Sequence, residues 1–189
     1  AGAPASEHPC ARRLGHVAQR VGELGLAPGG VEQVVRGQVE LDPTDLRLLH
    51  ELPADLPDAE VAEFAFQRQR AKNGSDFLPL HLQRILVISC VFRNAEGLRV
   101  HSFVDKDGAS EGKVVQTFFN TIEKHVPQLV SWNGGGFDLP VLHYRGLQHG
   151  VVADKYWDLG DDDRDFKWNN YISRYHLRHL DLMDLLALY

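Results

Sequence analysis

The chain has 189 residues, 43% of them hydrophobic and 24% charged, which suffices for one buried core and excludes a collagenous or largely disordered protein. The formal net charge of −6 excludes a protein that holds nucleic acid by bulk positive charge alone. It does not exclude a nuclease, because bound cations reverse the local sign of the field. Cys10 and Cys90 are too few for a disulfide framework, and no apolar run approaches the roughly eighteen residues of a membrane span. The opening AGAPASEHPCARRLG lacks the basic, apolar and small-residue order of a secretory leader, so no membrane partner and a cytoplasmic location are expected.

Residues 1–37 are rich in Ala, Gly, Arg and Pro, break at Ala27-Pro28-Gly29-Gly30 and give no clear β signal before Val31. They read as an atypical segment, disordered or misassigned, ahead of a domain at 38–189. Residues 43–72 read as helical, with Leu46, Leu49 and Leu52 first and Val61, Ala65 and Phe66 after Pro57-Asp58. Ile85 to Phe92 is a β-branched apolar run, and Leu98 to Val104 follows the turn Asn94-Ala95-Glu96-Gly97, which predicts an antiparallel pair. Val115, Phe118, Phe119, Ile122 and Val126 recur at helical spacing over 111–126, and Leu129-Val130 reads as a short buried strand. A helix is predicted from Pro140 to about Gly150, and a short strand at His179–Leu182 enters a last helix at Met183–Tyr189.

The densest information lies in Ser131-Trp132-Asn133-Gly134-Gly135-Gly136-Phe137-Asp138-Leu139-Pro140-Val141-Leu142. Three glycines permit positive φ and leave space for a substrate, while Pro140 suits a first helical turn. Asp138 is thereby expected near a helix start at the carboxyl end of a strand, where open α/β sheets bind ligands. The plainer reading makes Asp138 a helix N-cap after a glycine loop.

The pattern Asn-x-x-x-Phe-Asp-x-Pro-x-Leu resembles the second exonuclease motif of the DEDD superfamily of 3′-5′ exonucleases. Phe77-Leu78-Pro79-Leu80-His81, Arg84 to Ser89, Phe166 to Tyr171 and His179-Leu180-Asp181-Leu182-Met183-Asp184 extend the likeness. Together they resemble the predicted 3′-5′ exonuclease family related to polymerase B proofreading domains, from about Leu46 to Tyr189. The resemblance implies an α/β, ribonuclease H-like mixed sheet flanked by helices. It also implies two-metal phosphodiester hydrolysis at nucleic-acid 3′ ends, with two Mg²⁺ or Mn²⁺ ions held by carboxylates. On this reading Asp138 and Glu40 are the catalytic metal ligands, Asn133 and Phe137 support the site, and Trp168 and Asn169 meet a single-stranded DNA or RNA 3′ end.

The family pattern is broken in two places. Where Asp-x-Glu belongs, the chain reads Gln38-Val39-Glu40-Leu41-Asp42-Pro43, and a neutral amide at Gln38 cannot bridge two dications as a carboxylate does. No Tyr-x-x-x-Asp occurs near the end, although Asp181 and Asp184 are present. The expectation is a domain incomplete at both ends, with impaired hydrolysis.

Between Tyr156 and His179 the chain mixes planar and cationic groups, including Trp157, Phe166, Lys167, Trp168, Tyr171, Arg174, Tyr175 and Arg178. They can stack bases and touch phosphates, or fill gaps in the core, and spacing alone leaves both open. The run Asp161 to Asp163 reads as an acidic turn, as do Asp105 and Asp107 around Lys106. His143, His149, His176 and His179 show no zinc spacing, and no Walker loop is present. Two functions follow: a metal-dependent exonuclease domain, or a nucleic-acid-binding or scaffold domain that has lost hydrolysis.

Overall fold

The computed structural model describes residues 32–105 and 110–187, with side chains from Val39 onward. Strand β1 (Glu32–Leu41) leads into helices α1 (Pro43–His50) and α2 (Asp58–Asn73). Strands β2 (Gln83–Asn94) and β3 (Gly97–Val104) follow, then α3 (Glu111–His125), β4 (Gln128–Ser131) and α4 (Asp138–Gln148). A single turn α5 (Asp154–Trp157), strand β5 (His179–Asp181) and α6 (Leu182–Ala187) complete the order. The sheet runs β3-β2-β1-β4-β5. Its first three strands are an antiparallel meander, and β4 and β5 join in parallel. This mixed α/β sheet with crossover helices is a ribonuclease H-like fold.

Local chemistry accounts for the elements. Asp42 caps α1, accepting the Thr44 N–H at 3.0 Å, and Pro43 follows at the first helical position. The β2–β3 turn is closed by Gly97 at φ +125°, a value an L-residue strongly disfavours, and by the Asn94 Oδ1 that accepts the Glu96 N–H. In α3 the predicted stripe of Val115, Phe118, Phe119 and Ile122 is buried. It packs with Ile85, Ile88, Cys90 and Phe103 of the sheet and Val141 and Leu142 of α4. A smaller cluster of Leu46, Val61, Ala65, Leu78 and Leu82 holds α1 and α2 together. Among the described residues, no helix is long and apolar enough to cross a membrane. Residues 1–31 lie outside those described, and β1 already begins at Glu32, ahead of the expected domain start at 38.

The position of α4 is set by Arg145, whose side chain is only 1% exposed. Its guanidinium donates through Nε to Glu111 Oε1 at 2.8 Å, through Nη1 to Asp45 Oδ2 at 2.6 Å and through Nη2 to Asp42 Oδ2 at 3.0 Å. Glu111, in the first turn of α3, also accepts the Ile85 N–H at 2.7 Å and pairs with His149. Arg145 thus ties α4 to α1 and α3, and Glu111 carries the link on to β2. The sequence offered little warning, since an arginine on a mostly apolar helix ordinarily reads as a solvated residue.

Candidate functional site

The glycine loop connects β4 to α4 at the carboxyl edge of the parallel strands, as the sequence predicts. Its conformation differs from the expected one. Gly134, Gly135 and Gly136 do not adopt positive φ; Asn133 does, at +58°. Gly134 and Gly136 are required because other atoms occupy the space of a Cβ. At Gly134 it would lie 2.5 Å from the Ser131 Cβ, and at Gly136 it would run into the Asn133 amide. The Cβ space at Gly134 and Gly136 is therefore taken by Ser131 and Asn133, while Gly135 and Gly136 stay exposed.

The loop is clamped from β5. Asp181 Oδ1 accepts the Asn133 N–H at 2.8 Å and the Met183 N–H at 3.1 Å, while Oδ2 accepts the Gly135 N–H at 3.0 Å. Ser131 Oγ and His179 Nε2 are 2.7 Å apart and join the same two strands. No sequence motif gives Asp181 a role, because its loop partners Asn133 and Gly135 lie more than forty residues away along the chain.

Asp138 stands in the first turn of α4, where its charge complements the helix dipole, and the cap position belongs to Phe137. Phe137, Asp138, Val141, Leu142, Val39, Ile85 and Ile88 line one small, mainly apolar cavity. Glu40 is elsewhere. Adjacent strand residues face opposite sides of a sheet, and Glu40 pairs with Arg84 at 3.3 Å while its neighbour Val39 shares the cavity with Asp138. The structure thus turns Glu40 to the face of β1 opposite Val39. Gln38 pairs along the backbone with Val87, next to an irregularity where the register jumps so that Val39 meets Ile85.

The other carboxylates near the loop are also engaged. Asp184 forms a two-pronged pair with Arg174 at 2.9 and 2.8 Å, and Asp181 is held by the three N–H groups above. Among the described residues, no group of three or more His, Cys, Asp and Glu is arranged to hold a metal ion. In this conformation the described carboxylates do not fit a pair of divalent cations.

Asn169 turns inward to its own loop: its Oδ1 accepts the Leu177 and Arg178 N–H groups at 3.1 and 2.9 Å. Trp168 is exposed, with the Lys167 ammonium 5.6 Å from its ring centre. Asp158, which no sequence motif singles out, organises the acidic turn by accepting N–H groups from Gly160, Asp161 and Asp163.

His143 shares a 2.8 Å hydrogen bond with the Tyr156 hydroxyl. Burial first, and the nearby His179 second, push its imidazolium down to about 4. Burial likewise depresses His179. The unfolded chain takes up these protons near the ordinary value of 6.5, and the native chain does so only at lower pH. Stability contributed by the neutral rings is therefore complete above 6.5 and is lost as pH falls toward about 4. Melting temperatures recorded across that window should fall on acidification, and His143→Gln should flatten the slope; an unchanged slope would exclude His143 as a contributor.

With this geometry, the strand order and the loop define a ribonuclease H-like domain. The chain belongs to the family of predicted 3′-5′ exonucleases related to the exonuclease domain of PolB, whose family model matches residues 75–189. The matched stretch leaves out β1 and the Gln38–Pro43 region. Among solved structures, the chain is similar to the family B DNA polymerase from the hyperthermophilic archaeon Pyrobaculum calidifontis, at 14% identity and a TM-score of 0.46. That similarity covers 88% of this chain and 17% of the polymerase. No curated protein matches the sequence.

Proposed function

We propose that this chain is a nucleic-acid-engaging domain of the 3′-5′ exonuclease type, directed to single-stranded 3′ ends, whose own hydrolytic activity is weak or nil. The observation that carries the reading is the placement of Asp138. It sits on the first turn of α4, at the carboxyl edge of the parallel strands, behind a loop fixed by Asp181. Dependence on Mg²⁺ or Mn²⁺ rests on the family; Asp138 would be a ligand, and the bound ion would supply Lewis-acid chemistry to phosphodiester hydrolysis. Asn133 and Phe137 support the site through the loop and the cavity wall, and Trp168 is available to substrate.

Impaired hydrolysis is supported by the commitments of the neighbouring carboxylates. Glu40 would have to leave Arg84, and Asp181 and Asp184 would have to abandon their partners. These same contacts favour the second reading, a domain that binds nucleic acid without cleaving it.

The test is digestion of a 5′-labelled single-stranded oligonucleotide with Mn²⁺, beside calorimetry of Mn²⁺ binding, for the parent chain and Asp138→Ala. We expect little or no shortening by the parent and no further loss in the variant. Progressive shortening from the 3′ end that requires both Mn²⁺ and Asp138 would overturn the impairment and establish an active exonuclease.

A further inference from the structure

The aromatic residues between α5 and β5 fall into two groups that the sequence could not separate. Phe166 and Tyr171 are buried in the main core, with Tyr171 stacked 5.3 Å from Tyr156 and its hydroxyl donating to the Pro127 carbonyl at 2.6 Å. Trp168 and Tyr175 are 79% and 84% exposed. Folding gains little from either, because the apolar area each removes from water is small.

The loop that carries them is rigid. Its two limbs are cross-linked by the Asn169 amide oxygen, by the Asn170 N–H donating to His176 Nδ1 at 3.0 Å, and by the Arg178 Nε donating to the Asn169 carbonyl. Asn170 Oδ1 also closes the tip by accepting the Ile172 and Ser173 N–H groups. Trp168 and Tyr175 therefore project from neighbouring limbs of a preorganised loop, where their ordering cost has already been met by folding.

Charge and position indicate the occupant. Residues 166–178 contain Lys167, Arg174 and Arg178 and neither Asp nor Glu, within a chain of net charge −6. Arg174 anchors the loop to Asp184 of α6, one helical turn beyond the Asp181 that clamps the Asn133–Gly135 loop. The loop that carries Trp168 and Tyr175 is thus linked through α6 and β5 to the glycine loop that precedes the Asp138 helix. An aromatic face can accept a nucleobase only where that base is unpaired, and a cation beside it suits the adjoining phosphate.

We infer that the loop 166–178 is a stacking platform for unpaired nucleobases, with Trp168 and Tyr175 as the contact residues and Lys167 as the phosphate partner. The inference rests on the nucleic-acid reading above and adds to it how single-stranded substrate is distinguished from duplex.

The experiment is fluorescence anisotropy with a short 5′-labelled oligothymidylate, alone and annealed to its complement, in EDTA so that no hydrolysis intervenes. Trp168→Ala and Tyr175→Ala should each weaken single-strand binding by about tenfold, with duplex binding and melting temperature unchanged. Trp168→Phe should retain most of the affinity. Val100→Thr, on β3 at the opposite edge of the sheet, should bind like the parent. A parent that binds the single strand while both alanine variants bind equally well would overturn the platform and leave the nucleic-acid reading intact. A parent that binds neither form would overturn both and turn attention to a protein partner for the loop.

Discussion

Replacing Arg145 with methionine should destabilise the chain by about 3–5 kcal/mol, the usual cost of leaving a buried charge without its partner. The abandoned group is chiefly Glu111, 3% exposed and otherwise in contact with the Ile85 N–H and His149. For a domain of this size the loss corresponds to a drop in melting temperature of about 10 °C, measurable by calorimetry. Arg145→Lys should recover only part of it, since a single ammonium cannot match the planar fork that reaches Glu111, Asp45 and Asp42 together. Combining Arg145→Met with Glu111→Gln should be less damaging than the sum of the two changes, because both remove the same buried pair. A methionine variant as stable as the parent would show that the cluster does not hold α4 in place.

The same cluster has an acid limit. Burial acts to raise the Asp42 carboxyl, but hydrogen bonds from the Asp45 backbone, the Arg145 guanidinium and the Thr44 backbone outweigh it and hold the group below its ordinary 3.8. A depressed carboxylate contributes stability that is complete above 3.8 and is lost as pH falls through the native value. This loss lies below the histidine window, so acid titration should show two stages, with the second weakened in Asp42→Asn.

The second large effect is expected at Asp181. Asp181→Ala removes the acceptor of the Asn133, Gly135 and Met183 N–H groups at once. Charge-assisted hydrogen bonds are individually worth about 1.5–3 kcal/mol, but Gly135 and Met183 can turn to water, so a net loss of about 2–3 kcal/mol is expected. The change should be concentrated in the loop: amide exchange at Asn133 and Gly135 should accelerate well beyond that of core amides in α3. Asp181→Asn, which keeps one acceptor oxygen, should be intermediate. Uniform acceleration across the whole domain would mean that Asp181 stabilises the fold generally and does not position the loop.

The positions of the helices and strands after β1 follow from local patterns, and these were readable because each depends on neighbours a few residues away. The apolar run in β2, the stripe of Val115, Phe118, Phe119 and Ile122 in α3, and the turn before Gly97 are of this kind. So is the Asn133–Asp138 motif, which carries the family and places Asp138 at a helix start without any tertiary information. The sorting of Phe166 and Tyr171 from Trp168 and Tyr175 was not local, because burial depends on which limb of the loop meets α5.

By itself the sequence located the elements from Pro43 onward and one carboxylate at the edge of the sheet, since periodicity and glycine spacing act over short stretches of chain; the class of fold came with the family resemblance, and the central strand β1 gave no local signal. Tertiary structure alone decided which carboxylates meet. Glu40 meets Arg84 because the β1–β2 register sets the two residues opposite one another. Arg145 reaches Asp45 across a hundred residues of chain, and Asp181 reaches the glycine loop only because β5 lies parallel to β4. Such pairings are set by sheet register and helix packing, which no local pattern of residues encodes.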